Sequence, residues 1–308
     1  MKEIAPFTAA REAAEPGGPS VLRVALAQVA PVLGDRQRNV EMHLDQIRAA
    51  ARQQADLIVF PELSLTGYFV RDMVPDLALA PSAPEIRGIL EAAGKMAVVL
   101  GFVEESPRHR FYNTALYAEG GRIVHLHRKV YLPTYGLFDE QRYFARGERI
   151  AAFDTARFGR MGILICEDFW HLSAVAIMQA EEVDVLVCPS NSPGRGVDGP
   201  TVRTAETYEH LSRAYAQLIG AVVIVVNRVG FEDGLCYWGG SSVTGPDGRT
   251  LAQAPMLDES LTVAAFDTAE LRRQRLITPL ARDEQLLLTI EELNRIKRQR
   301  YGGEGIGD

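Results

Sequence analysis

The sequence predicts one large α/β domain in which two layered sheets carry helices on their outer faces. Two patterns carry that expectation. Short apolar, β-branched runs alternate with helical stretches through both halves of the chain, and hairpins with glycine turns interrupt the alternation. A third observation points to chemistry: several of the apolar runs stop on a reactive polar side chain. The chain has 308 residues, 47% hydrophobic and 24% charged, enough for a sizeable core.

Composition narrows the function. The net charge is −7, from 33 basic against 40 acidic residues, and no basic run stands out, so nucleic acid is not an expected partner. Cys166, Cys188 and Cys236 form an odd set without CxxC spacing. That argues against a disulfide framework or a structural zinc and fits a reducing compartment. No apolar segment has the length of a membrane span, and the N-terminus has no signal-peptide core before Pro16-Gly17-Gly18-Pro19. A cytoplasmic protein with no cofactor and no metal is the expectation.

Residues 1 to 20 contain few large apolar side chains and read as a loosely ordered N-terminal arm, or as an arm packing on a partner subunit. Val21 to Gln28 reads as the first strand, and Gly34-Asp35 caps a helix expected from Arg36 to Gln54. Ala55 to Phe60 is the next strand and ends on Pro61-Glu62. A helix (83 to 94), a strand (96 to 104) and a hairpin turning at Glu119-Gly120-Gly121 follow; the returning strand delivers Arg128-Lys129. Thr134 to Phe144 is too aromatic for an ordinary surface loop and is expected to line a pocket.

A strand pair then leads into Gly162-Ile163-Leu164-Ile165-Cys166-Glu167-Asp168-Phe169-Trp170, a buried run that ends on a thiol where the chain turns. A helix from about Ser173 and the strand Asp184 to Pro189 come next, with Cys188 read as structural. Beyond Ser190-Asn191-Ser192 the pattern gives a helix from Thr201 to Ile219 and a β-branched strand from Ala221 to Asn227. Trp238 to Val243 and Leu261 to Phe266 are expected to complete a second set of strands. The domain is expected to span 21–268. Residues 269–308 form a helical extension whose Leu286-Leu287-Leu288 and Ile290 need something to pack on.

Taken singly, each reactive residue has an ordinary explanation: Glu62 as a solvated loop acid, Lys129 as an exposed hairpin lysine, Cys166 as a small buried hydrophobe. Together they end three strands, and a layered sheet gathers its strand ends on one edge. A carboxylate, an ammonium and a thiol are the groups a thiol nucleophile needs, because a lone thiol is scarcely ionised at neutral pH. A pairing of Cys166 with His171 is the rival arrangement and would need the chain to fold back.

Pro61-Glu62, Arg128-Lys129 with Leu132-Pro133, and Cys166-Glu167-Asp168 resemble the Glu–Lys–Cys signature of the nitrilase superfamily of carbon–nitrogen hydrolases. Trp238-Gly239-Gly240-Ser241 with Gly245-Pro246-Asp247-Gly248 is similar to that family's later glycine-rich strand pair. The likeness runs from Val21 to about Asp267. A nearer similarity, in Tyr135 to Phe144 and Thr278 to Glu284, is to the glutaminase domain of glutamine-dependent NAD synthetases.

The resemblance implies a four-layer αββα sandwich. It implies Glu62 as general base, Cys166 as nucleophile, Lys129 with the Glu167 N–H as oxyanion partners, and Glu140 as a second glutamate orienting substrate and water. Tyr135 and Phe138 would line the acyl pocket, with Glu167, Trp170 and Ser192 as further substrate-binding residues. The family's basic segment for glutamine has no clean counterpart after Ser192, where Arg195 or Arg203 stands nearest, and no Ser-Gly-Gly-x-Asp-Ser pyrophosphatase loop occurs in the sequence.

The expected activity is metal-independent hydrolysis of a small primary amide, glutamine-like or aliphatic, through a cysteine thioester with release of ammonia. A nitrilase or N-carbamoyl amidase reaction at the same residues is the alternative, as is a glutaminase subunit feeding a separate synthetase partner. The resemblance also implies a homodimer or higher homo-oligomer, with the C-terminal helix at its contact.

Overall fold

The computed structural model describes residues 21–198 and 201–302; the expected N-terminal arm, residues 1 to 20, lies outside the described residues. The first half runs β1 (Val21–Gln28), α1 (Arg36–Arg52), β2 (Leu57–Val59), α2 (Val74–Leu77), α3 (Pro84–Ala93), β3 (Ala97–Glu105), β4 (Phe111–Glu119), β5 (Arg122–Arg128) and α4 (Glu140–Tyr143). Next come β6 (Phe153–Asp154), β7 (Arg160–Ile163), a 3-10 turn at Cys166–Trp170, α5 (Leu172–Ala180), β8 (Val185–Ser190), and the short ladder β9 (Val197–Asp198) and β10 (Thr201–Val202). The chain continues through α6 (Arg203–Ile219), β11 (Val222–Asn227), β12 (Val229–Glu232), β13 (Leu235–Trp238), β14 (Ser242–Thr244), β15 (Thr250–Gln253) and β16 (Ser260–Asp267). It closes with α7 (Thr268–Ile277), α8 (Leu280–Asp283) and α9 (Leu286–Tyr301).

Two six-stranded sheets form the centre, in the orders β16-β1-β2-β3-β4-β5 and β15-β14-β11-β8-β7-β6. Each has three parallel strands at its middle and antiparallel strands at its edges. Alternate side chains of the central strands point to opposite faces. Val24, Leu26 and Val59 meet Ile163, Val187 and Ile224 between the sheets. Ala25, Ala27, Ile58 and Phe60 face Ile47 of α1 and Ile86 and Ile89 of α3. Leu186, Cys188 and Val223 face Val175 of α5 and Tyr215 and Ile219 of α6. The order is helix, sheet, sheet, helix, the expected αββα sandwich. Central strands buried on both faces explain why the sequence reads there as unbroken apolar runs.

Element ends follow local chemistry. The Asp35 carboxylate accepts from the Arg38 N–H and starts α1. α6 begins at Arg203, two residues later than expected, because Thr201 and Val202 pair with the chain at 197–198. One strand goes elsewhere than expected. β16 leaves the second half and pairs antiparallel with β1 from Val21↔Asp267 to Gln28↔Ser260, closing the edge of the first sheet. A period-2 pattern fixes which side chains face inward, not which strand lies alongside. The C-terminal α9 has no buried residue, and Leu287 and Leu293 are 76% and 60% exposed.

The end of β2 is held tightly. A Cβ at Gly101 of β3 would stand 2.9 Å from the Glu62 carbonyl carbon and the Pro61 carbonyl oxygen, and nearer still to the Leu63 nitrogen. Glycine therefore lets the Pro61–Leu63 backbone lie flat on β3. Gly101→Ala is expected to lower stability by about 1–3 kcal/mol through overpacking against main chain that cannot yield. Urea unfolding reads it; an unchanged midpoint would show that the segment has room to move.

Candidate active site

The nucleophile candidate sits on a strained turn. Cys166 has φ of 47°, a left-handed conformation that costs a side-chain-bearing residue about 1–2 kcal/mol. The strain is held by Asp168, two residues on and fully buried. One Asp168 oxygen accepts from the Ile165 N–H at 3.1 Å and contacts His127 Nε2 at 2.8 Å. The other accepts from the Val130 and Tyr131 N–H groups at 3.0 and 2.8 Å. One carboxylate thus ties the Cys166 turn to the segment that carries Lys129.

Three more side chains complete a buried charge cluster. Lys129 Nζ lies between two carboxylates, donating to Glu62 Oε1 and Glu140 Oε1 at 2.7 Å each. Glu62 Oε1 also accepts from Asn113 Nδ2 at 2.8 Å, and Glu62 Oε2 accepts from the Asn191 N–H at 2.8 Å. Asn191 Nδ2 closes the ring by donating to the Glu62 carbonyl at 2.7 Å. Glu140 Oε1 accepts a further bond from the Tyr68 hydroxyl. Glu62, Lys129 and Glu140 are all at most 4% exposed. Fully formed, such a set is stable; truncating one member would strand a buried charge.

The electrostatics follow from burial and charge count. Burial opposes the Lys129 ammonium, but Glu140 and Glu62 outweigh it and hold the group well above an ordinary lysine. Burial lifts the Glu140 carboxyl above the usual range, Lys129 pulling against it and Glu62 adding to it. Burial and then the Glu62 charge push the Cys166 thiol well up, with Lys129 opposing. Cys166 therefore rests as a protonated thiol in electrostatic contact with both a carboxylate and an ammonium. The set unites a proton acceptor, a cation for developing negative charge and a nucleophilic atom.

The remaining residues surround this cluster. Tyr135 and Phe138 meet edge-on at 5.7 Å, and the Tyr135 hydroxyl donates to the Glu167 carboxylate at 3.0 Å. Arg195 lies over both rings, 5.8 Å from Tyr135 and 5.3 Å from Phe138, and its buried Nε has no partner among the described residues. Ser192 is buried, its N–H bound to Asn227 Oδ1. Trp170 packs edge-on against Tyr208. His171 stacks on Tyr131 and lies 3.8 Å from Glu167, so it turns to the rim rather than to Cys166. Cys188 is buried in β8 with its thiol pushed up to about 12 by burial, as befits a structural position.

Several neighbours were not foreseen from the sequence. Tyr208 approaches Cys166 Sγ at 3.5 Å and Ser190 Oγ at 3.3 Å. It belongs to a buried polar stripe on α6 with Thr204, Ser212 and Tyr215, a signal visible in the helical spacing. Asn191 follows β8 directly, so the strand-end rule that picked out Glu62 and Lys129 extends to it. Tyr68 and Asn113 lie in a loop and inside a strand, with no motif to mark them. Among the described residues no group of three or more His, Cys, Asp or Glu side chains is placed to hold a metal ion, and no helix is long and apolar enough to cross a membrane.

Two outcomes are expected. Alkylation of Cys166 by iodoacetamide should be slower at pH 7 than that of free cysteine, because a raised thiol pKa leaves less thiolate. Its rate should go on rising above the pH where free cysteine levels off; a plateau at or below pH 8 would contradict the burial argument. Asp168→Asn, which places an amide where four groups now meet a carboxylate, should cost about 1–3 kcal/mol in urea unfolding. Wild-type stability would show that the turn stands without it.

Comparison with known proteins places this geometry. The Carbon-nitrogen hydrolase family model matches residues 23–276. The glutamine-dependent NAD(+) synthetase of Acinetobacter baylyi is 30% identical over 286 residues, covering 92% of this chain and 52% of that protein. The Thermotoga maritima synthetase is 31% identical, covering 85% of this chain and 45% of its own length. The chain thus spans about half the length of these relatives. Among solved structures, a carbon-nitrogen hydrolase from Helicobacter pylori G27 superposes with a TM-score of 0.80 at 25% identity, covering 89% of this chain and 99% of its own. A glutamine-dependent NAD+ synthetase from Acinetobacter baumannii gives 0.72 at 30% identity, over 82% of this chain and 46% of that one. The chain is an enzyme of the carbon–nitrogen hydrolase family, with the sandwich fold of the nitrilase superfamily.

Proposed function

We propose that this enzyme hydrolyses the ω-amide of a glutamine-like amino acid through a thioester on Cys166. The observation that carries the reading is the joining of Glu62, Lys129 and Cys166 in one buried cluster, with Glu140 on the far side of the lysine. Glu62 takes the thiol proton as sulfur attacks the amide carbonyl, and Lys129 with the Glu167 N–H stabilises the oxyanion. The tetrahedral adduct expels ammonia, which takes the proton back from Glu62. Water then gives a proton to Glu62 and attacks the thioester, and the acid leaves as the thiol re-forms. Glu140 fixes the ammonium of Lys129 and orients substrate and water.

The rim supports an amino-acid amide over a plain aliphatic one. Arg195, whose Nε has no partner among the described residues, and the Glu167 carboxylate both lie beside Tyr135. A cation and an anion side by side suit the carboxylate and ammonium of a zwitterion. In this reading Phe138, Trp170 and Ser192 complete the substrate contacts. A second reading gives the ammonia to a synthetase, since the relatives at 30 and 31% identity are named glutamine-dependent NAD(+) synthetases. Self-association through the exposed apolar face of α9 belongs to either reading.

The test is ammonia release over glutamine, asparagine, aliphatic amides, nitriles and N-carbamoyl compounds, with Cys166→Ala as the blank. Glutamine should be turned over, Cys166→Ala should be inactive, and Arg195→Ala should raise KM for glutamine by about tenfold, the loss of one charge-assisted contact, while leaving KM for propionamide little changed. Activity retained in Cys166→Ala would sink the thioester route. Release from aliphatic amides alone would reassign the substrate and leave the chemistry standing.

A further inference from the structure

Away from this cluster, a surface cavity of about 510 Å³ opens where the β3–β4 connection meets β5 and the segment after α4. Five arginines line it: Arg108, Arg110, Arg128, Arg146 and Arg149. Glu148 is the single acidic side chain in the wall. Such a density of guanidinium groups is out of keeping with a chain whose net charge is −7.

The arginines divide into one that is fixed and four that are free. Arg128 donates to Glu104 through Nε at 2.9 Å and Nη2 at 2.5 Å, and its guanidinium lies 4.0 Å over the Tyr112 ring. It is part of the scaffold. Arg108, Arg110, Arg146 and Arg149 are exposed and have no carboxylate partner among the described residues. Like charges gathered around a hollow repel one another, and an anion is what relieves that repulsion. The concave shape and a volume within the roughly 300–1,000 Å³ of small-molecule sites favour a compact ligand over an extended one. Guanidinium forks match phosphate oxygens two at a time.

We infer that this cavity binds a small polyvalent phosphate compound through Arg108, Arg110, Arg146 and Arg149, on a floor made by Arg128 and Tyr112. The site is separate from the Cys166 cluster but shares main chain with it. The Gly147 N–H donates to the Lys129 carbonyl at 2.8 Å, and a side chain at 147 would collide with the Arg128 carbonyl. A ligand held between Arg128 and residues 146–149 thus rests on the backbone that places Lys129.

Isothermal titration of the whole protein with inorganic tripolyphosphate at low ionic strength tests the site. The expected result is saturable one-to-one binding that weakens as salt is added, because most of the contacts are exposed charges. The double variant Arg110→Gln/Arg149→Gln should bind at least about tenfold more weakly. A control that removes two arginines from α9, Arg295→Gln/Arg298→Gln, should stay within about twofold of the wild type. Absence of saturable binding would overturn the inference, as would equal losses in the two double variants. Hexaglutamate binding as tightly as tripolyphosphate would also overturn it, assigning the surface to an acidic peptide instead.

Discussion

The ammonium of Lys129, buried between the carboxylates of Glu62 and Glu140, is the interaction on which the rest of the site depends. An ammonium removed from water is tolerated only when it is paired and hydrogen-bonded, and here it has two ionic partners. Two carboxylates against one ammonium leave an excess of negative charge. Burial first, with the Glu62 charge adding to it and Lys129 opposing, keeps the Glu140 carboxyl and the Cys166 thiol above their ordinary values. The cluster is a single electrostatic unit, not a row of independent residues.

Such a unit forms only if its members arrive at fixed positions. The double-sided burial of the central strands supplies that rigidity, since β2 and β8 are packed on both faces and cannot slide. Gly101 allows the end of β2 to press on β3, which sets Glu62. Asp168 joins the Cys166 turn to the Val130 and Tyr131 backbone and to the His127 side chain, which flank Lys129 and set the other two. The left-handed conformation at Cys166 is the local cost of presenting sulfur to the cluster, and the Asp168 bonds are what hold it there.

The same backbone serves two surfaces of different character. Inside, Lys129 meets carboxylates; one residue earlier, Arg128 is pinned on the outside by Glu104 and stacked on Tyr112. Arg128 is the last residue of β5 and Lys129 the first beyond it, and the extended chain there turns the two cations to opposite sides. The interior cation is neutralised within the protein, while the outer arginines are left with charge to spare. Aromatic rings mark the rim on the inner side, where Arg195 lies over Tyr135 and Phe138.

Local pattern was enough to establish much of this molecule. Apolar runs placed β1, β4, β8 and β11 within a residue or two, because buried central strands leave a nearly continuous apolar signature, and the glycine turn placed β5, an edge strand with exposed residues. Strand-end chemistry singled out Glu62, Lys129 and Cys166, since a reactive side chain directly after a buried strand is unusual enough to be noticed. Motif resemblance added Glu140, Tyr135 and Phe138. Sequence could not give the partner of β16, which lies more than two hundred residues away in β1. Nor could it give Tyr68, Asn113 or the bonds of Asp168, because they are defined by neighbours from distant segments and carry no periodic mark of their own. Residue type and spacing determined which groups the protein has for its chemistry. Only the packing of the two sheets decided which of them share a dry space, and so which carry shifted protons.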